Sequence, residues 1–297
     1  MMDQSNDVHM RELRPVKVLG AIDPRVAYNG FELPAIGFGT AGLVGNAGVD
    51  VIMGALEVGY RLIDSAFMYE NEGIVGKAVR QSSVPRQEII VTSKLPGRHH
   101  SYAEARVAIE ESVARTGLDY IDLYLIHWPN PSQGSFVQAW QALIDAREAG
   151  LVRHIGVSNF LPGHIERLYR ATAVMPEVNQ IERHPYFQRH EEMEYDNDHG
   201  IITQAWCPLG RANEMLKDPD IVAIARKYGV KVGQVVLRWH EQTGDVAIPK
   251  ASSEDYQRMN LNVDGFTLDE GDMAALSSLD NPQGSCWGFD SRFHEEF

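Results

Sequence analysis

The sequence predicts an α/β fold, a single-domain (β/α)8 TIM barrel with an N-terminal β-hairpin. Three observations carry that reading. Eight short apolar runs recur along the chain: AIGFG, RLIDSA, IIVTSK, IDLYLIH, VRHIGVS, EVNQIE, IITQAW and VAIPK. Segments with helical periodicity lie between them, and strand starts fall roughly 25 to 32 residues apart until a longer last interval. The length of 297 residues holds one such barrel, typically about 250 residues, with little to spare. A doubly wound sheet competes, but GFGTAG after the first run does not give GxGxxG leading into a helix.

Taken in order, residues 1–24 are polar and aperiodic and read as a flexible or loosely docked extension. Next, VAYNGFELP places Asn29-Gly30 between two short β-like runs, a dipeptide suited to a type I′ hairpin turn, and Ala35–Gly39 begins a buried strand. Apolar stripes then mark helices: Ile52, Ala55 and Leu56; Ala105, Ala108, Ile109 and Val113; Phe136, Trp140, Leu143 and Ile144; Ile221, Ile224, Ala225 and Tyr228. Gly59, Gly117, Gly150 and Gly229 follow periodic stretches as stop signals, and Ser101 and Ser135 are candidate N-caps. The barrel is expected over 25–282, with eight helices alternating with eight strands, and 283–297 is a C-terminal tail.

Composition narrows the partners. Apolar residues make up 44% and charged residues 23%, as in an ordinary folded domain, and 27 Lys plus Arg against 41 Asp plus Glu give a net charge of −14. That charge repels nucleic-acid backbones and anionic membranes, and no apolar run approaches the length of about 18 residues that a membrane helix needs. Two cysteines, Cys207 and Cys286, make no disulfide framework, so a reducing, cytoplasmic setting is expected. The eleven histidines show no HxH or HExxH spacing, and no metal site is expected. Cys207 reads as packing, and Glu191, Glu192, Glu194, Asp196 and Asp198 read as one solvated acidic face.

Barrels gather chemistry at the C-terminal ends of their strands. There the sequence sets Asp64, Lys94, His127, Ser158 and Asn159, Gln180 and Glu182, Trp206 and Lys250, with Tyr69 five residues beyond Asp64. Asp64 and Lys94 alone could be a structural ion pair. With Tyr69 beside them more becomes possible, because a nearby cation favours phenolate and would lower the phenol pKa. His127, set among Ile126, Trp128 and Pro129, is expected to be a neutral imidazole. Together these groups suit polarising and protonating a carbonyl oxygen. No protein side chain donates hydride, so a nicotinamide cofactor would supply it. Ser158, Asn159 and Gln180 could hold a carboxamide, and Trp206 could stack on the ring. Two other readings stay open: a Schiff-base lyase using Lys94 or Lys250, and a non-catalytic cofactor-sensing barrel.

The ordered motifs DSAFMYENEGIVGKAV, IIVTSKLP, DLYLIHWP, IGVSNF, VNQIERHP, AWCPLG and IPKASS, spread from about Phe31 to about Leu279, resemble the aldo-keto reductases. VLRWH, the Trp of AWCPLG and the short C-terminus are most similar to the bacterial branch named for 2,5-diketo-gluconate reductase. The resemblance implies a monomeric, NADPH-dependent reductase of small-molecule carbonyl substrates, while the cytoplasmic expectation rests on the cysteine usage above and the expectation that NADH is usable rests on departures in the cofactor region. It implies a catalytic tetrad of Asp64, Tyr69, Lys94 and His127, with Tyr69 as proton donor. It also implies a cofactor site of Ser158, Asn159, Gln180, Trp206, Pro208, Leu209, Gly210, Lys250, Ser252, Ser253, Tyr256 and Asn260, and a substrate pocket with Ala41, Phe67 and Trp128.

Several residues depart from the family pattern. Ser65 stands for a usual Thr and Ala41 for a common pocket aromatic. WPNPSQG is short where other members carry a long covering loop, so an open, weakly discriminating cleft walled by Phe67, Trp128 and Trp206 is expected. In the cofactor region Ala251 stands for Ser, Tyr256 for Arg and Met259 for Glu, which weakens the expected grip on a 2′-phosphate.

Overall fold

The structure, a computed structural model, describes residues 23–212 and 214–297. The expected extension over 1–24 lies outside the described residues except for its last two. The chain opens with the hairpin β1 (Arg25–Val26) and β2 (Glu32–Leu33), paired antiparallel. Its turn is not type I′, which needs left-handed backbone at both central residues. Only Gly30 is left-handed, at φ +87, and Gly30 N–H donates to Ala27 O at 2.9 Å, so the five-residue connection turns through an ordinary i to i+3 bond before its left-handed glycine.

The alternating units follow. They are β3 (Phe38–Gly39), α1 (Gly45–Val58), β4 (Leu62–Asp64), α2 (Glu72–Gln81), β5 (Ile90–Leu95) and α3 (Tyr102–Thr116). Next come β6 (Ile121–Ile126), α4 (Phe136–Glu148), β7 (Val152–Ser158), α5 (Pro162–Thr172), β8 (Val178–Glu182) and α6 (His190–Asp198). The series ends with β9 (Ile202–Trp206), α7 (Pro219–Tyr228), α8 (Val232–Thr243), β10 (Val246–Ala247), α9 (Glu254–Leu261) and α10 (Glu270–Ser277).

Strands β3 to β10 form one curled eight-stranded sheet in which each pairs in parallel with its neighbour in sequence. Its two ends also meet. Ala247 N–H donates to Ala35 O at 2.9 Å, Gly37 N–H to Ala247 O at 2.8 Å and Gly39 N–H to Pro249 O at 3.0 Å. Parallel strands are covered on both faces, which is why β6, IDLYLI, is buried at every residue. Leu62, Leu123, Leu125, Val178, Ile202, Val246 and Ile248 pack on the concave side together with Ala27, Phe31 and Leu33 of the hairpin. The hairpin therefore closes the N-terminal end of the strands, anchored by Tyr28 N–H to Gly200 O at 2.7 Å and by Phe31 stacked on His154 at 3.7 Å.

Helix boundaries follow local chemistry. Ser101 accepts from Glu104 N–H at the start of α3, and Gly117 and Gly229 end α3 and α7 in left-handed conformation. Ser135 occupies the N-cap of α4 but makes no capping bond. The strict eight-helix alternation does not hold, because both α7 and α8 lie between β9 and β10 and α9 and α10 both follow β10. Gly229 splits the first of these pairs, and the extra helix accounts for the long last interval between strands. No described helix is long and apolar enough to cross a membrane.

The expected solvated acidic face on α6 is also corrected. Asp196 is fully buried, accepting from Thr203 Oγ1 at 2.8 Å and Asn179 Nδ2 at 3.4 Å, and Glu192 is nearly so. Burial pushes the Asp196 carboxyl up to about 8, against the lowering effect of those two bonds. Helical periodicity decides which acidic residues face inward, and a run of like charges conceals that.

Candidate active site

A cleft of about 700 Å³ opens at the C-terminal ends of the strands. Its walls include Asp64, Tyr69, His127, Asn159, Gln180, Trp206, Pro208, Leu209 and Lys250, with Ala41 and Trp128 at the side expected for substrate. Strand geometry explains the convergence, since these residues end, or closely follow, the parallel strands of one sheet, several strands contributing more than one.

Lys94 is fully buried and Asp64 nearly so. Lys94 Nζ donates to Asp64 Oδ1 and to Ser65 O, both at 2.7 Å, and the second Asp64 oxygen accepts from Gln180 Nε2 at 2.7 Å. Burial lowers the Lys94 pKa below the usual lysine value, with the Asp64 carboxylate opposing it. Nζ lies 5.0 Å from the centre of the Tyr69 ring. The expected lowering of the Tyr69 pKa is overturned. Burial first, then the Asp64 charge, push the hydroxyl well above the ordinary tyrosine value.

Asn159 joins three elements. Its Nδ2 donates to His127 O and to Ser158 Oγ, both at 3.0 Å, and its Oδ1 accepts from Trp206 Nε1 at 2.8 Å. It does so from left-handed backbone, φ +63, as does Cys207 at φ +49. Ser158 Oγ donates to Gln180 O at 2.8 Å. Lys250 Nζ reaches across the cleft to Ala41 O at 3.0 Å.

Other predicted residues lie apart from the cleft walls. Ser252, Ser253 and Tyr256 are exposed, Ser253 Oγ capping α9, and Asn260 is buried on the same helix beside the Tyr60 hydroxyl. Gly210 does not line the cleft, and Ser158 lies behind it. Phe67 is likewise displaced, its ring 3.9 Å from the Arg115 guanidinium and 5.2 Å from that of Arg98. Two cation contacts hold an aromatic side chain that sequence alone would aim at substrate.

The sequence reading missed the tail. Trp287 and Phe289 line the cleft. Phe289 and His294 pack on Trp128, with ring centres 5.8 and 4.2 Å away. Glu296 then binds three loop groups: Gly97 N–H donates to its carboxylate at 2.9 Å, Asn130 Nδ2 to its carbonyl at 2.7 Å, and its own N–H donates to Asn130 Oδ1 at 3.1 Å. The same carboxylate lies 2.6 Å from His127 Nδ1. Although burial works against it, contact with His127 holds the Glu296 carboxyl below the ordinary glutamate value. The tail thus adds an aromatic wall on the side where the short WPNPSQG loop alone would leave the cleft open. The density of aromatic residues after Cys286 was the available signal.

Comparison with known proteins decides the family. The aldo/keto reductase family model matches residues 35–281. The chain belongs to the aldo/keto reductase family. It is 50% identical over 260 residues to 2,5-diketo-D-gluconic acid reductase B of Corynebacterium sp. (strain SHS752001), covering 88% of this chain and 93% of that protein. Among solved structures, an aldo/keto reductase from Brucella melitensis superposes with a TM-score of 0.83 at 39% identity, covering 88% of this chain and all of the other. A variant of Gox0644 in complex with NADPH superposes with a TM-score of 0.84 at 39% identity, covering 89% and 96%. This aldo/keto reductase is an oxidoreductase, and the seven motifs quoted from its sequence all lie within the matched span.

Proposed function

We propose that this aldo/keto reductase reduces aldehydes and ketones to alcohols with NADPH, Tyr69 being the proton donor, on a closed (β/α)8 barrel whose single domain spans 25–282. One observation carries the reading: a single cleft gathers Asp64, Tyr69 and His127 together with the amides of Asn159 and Gln180, the indole of Trp206 and the ammonium of Lys250. When bound, NADPH supplies the hydride.

The protein's residues would do the rest. Trp206, held in place by Asn159, presents a flat apolar face to a nicotinamide ring. Asn159 and Gln180 would exchange present partners for the carboxamide. Lys250, with one of three ammonium donors on Ala41, keeps others for a phosphate. His127 orients the carbonyl oxygen, and Tyr69 O–H gives it a proton as charge develops there. A high Tyr69 pKa does not forbid this, since an alkoxide is a far stronger base than phenolate. Lys94 and Asp64 then act by placing a fixed charge pair under the ring.

Lys94 does not suit Schiff-base chemistry. Its ammonium is fully buried and bound to Asp64 and Ser65. The deciding experiment follows nicotinamide absorbance against a panel of aldehydes, ketones and keto-sugar acids. Oxidation of NADPH dependent on carbonyl substrate is expected. No oxidation with any member, or substrate trapped on a lysine by borohydride, would overturn the reading.

A further inference from the structure

Beside the cleft, and not among its lining residues, three side chains with metal-binding chemistry converge: Glu182 at the end of β8, His184 two residues on, and Cys286 in the tail. Glu182 and His184 are buried and Cys286 is half-buried. Glu182 Oε1 lies 3.2 Å from His184 Nε2, Cys286 Sγ lies 3.5 Å from the same nitrogen, and all three ligand atoms fall within 4.8 Å of one another. The carboxylate also accepts from Ser285 Oγ at 2.7 Å and from Cys286 N–H at 2.5 Å, which fixes the tail segment against the strand end.

These separations can be set against tetrahedral zinc. With metal–oxygen and metal–nitrogen bonds of about 2.05 Å and a metal–sulfur bond of about 2.3 Å, the O···N edge is about 3.3 Å and the N···S edge about 3.6 Å. The observed 3.2 and 3.5 Å are those edges to within about 0.1 Å. Without an ion the same atoms are held together by protons: His184 Nε2–H can donate to Glu182, and the Cys286 thiol hydrogen-bonds the same carboxylate. A cation turns all three lone pairs to one use. We propose that Glu182, His184 and Cys286 bind one zinc-class divalent ion, with the fourth position left to water. The Sγ–H proton leaves to solvent as the metal–sulfur bond forms, and no electron is transferred. Because Trp287 and Phe289 follow directly and line the cleft, the ion would fix that wall.

The test uses the full chain, stripped with a chelator, kept reduced with a phosphine and titrated with Co²⁺. Expected are visible bands of tetrahedral intensity and a near-ultraviolet thiolate-to-cobalt band, saturating at one equivalent and abolished by Zn²⁺. Cys286→Ser should lose the near-ultraviolet band and Cys207→Ser should keep it. No such band in the wild type, or a band that survives Cys286→Ser, overturns the proposal. Should Cys286→Ser fail to fold, alkylation of the wild-type protein decides: Zn²⁺ should slow labelling of Cys286 by roughly tenfold or more, because a coordinated thiolate is a poor nucleophile, and leave Cys207 unchanged. Equal rates with and without Zn²⁺ overturn it.

Discussion

The two ends of the cleft are built on different principles. At one end, Asp64, Lys94 and Gln180 rise from strands, are buried, and are joined by bonds of 2.7 Å. At the other, Lys250 sits three residues beyond the short strand β10, and Ser252, Ser253 and Tyr256 lie exposed around the start of α9. The first end is held by the sheet whether or not a ligand is present. The second has few internal partners to hold its side chains in place. Substitutions at the first should therefore change rate, and at the second affinity.

The largest effect is expected at Tyr69. Tyr69→Phe should lose roughly 10²-fold to 10⁴-fold in kcat while the Kd for NADPH stays near normal. A steady-state assay paired with fluorescence titration checks both, and wild-type turnover would dissolve the contrast between the two ends. The same end should set the alkaline limit. Lys94 is displaced downward by burial, so its charge is lost as pH rises through a value below the usual lysine pKa, whereas Tyr69 stays protonated there. A fall in kcat/KM starting below about pH 10.4 is expected in a pH–rate profile.

At the Lys250 end, if the proposed cofactor site holds, Tyr256→Arg should raise the kcat/KM preference for NADPH over NADH. One charged hydrogen-bonding partner is worth roughly 1.5 to 3 kcal/mol, or about 10-fold to 150-fold. Arg258, two residues further along α9 and so on another face of the helix, is paired with Glu254 at 2.6 Å. An unchanged ratio would mean that α9 does not face the phosphate. Between the ends stands the tail. Trp287→Ala, which removes an aromatic wall, should raise KM for bulky carbonyl substrates by roughly tenfold with kcat little altered.

A separate effect, on stability and not on activity, compares two buried aspartates. Asp64 has a lysine and Asp196 has none. With a folded-state value raised to about 8, Asp196 favours the native state fully only below its unfolded value near 3.8. That contribution is lost as pH rises through about 8. Asp196→Asn should therefore flatten the fall in stability over that window, where each pH unit is worth on the order of 1 kcal/mol, as read by urea unfolding at several pH values.

What the sequence made legible follows from periodicity. The eight strands and the polar residues ending them could be read because parallel strands buried on both faces leave continuous apolar runs with an abrupt polar stop. The seven family motifs lie on those stops. Features that depend on one segment meeting a distant one were not legible. Glu296 reaches His127 across more than half the length of the chain, and Phe67 turns to Arg115. The direction of the Tyr69 shift was not legible either, because burial of the hydroxyl, its largest cause, depends on how the surrounding loops pack.

The left-handed backbone at Asn159 has a consequence for how this cleft is dissected. Asparagine tolerates that conformation, whereas alanine pays roughly 1 to 2 kcal/mol for it. Asn159→Ala would remove the amide and strain the loop together, so an alanine scan would credit the side chain with a cost that belongs to the main chain. Asn159→Gly separates the two, since glycine accepts φ +63 freely while lacking the same amide. The glycine variant reports the amide's contacts with His127, Ser158 and Trp206, and the further loss in the alanine variant reports the turn.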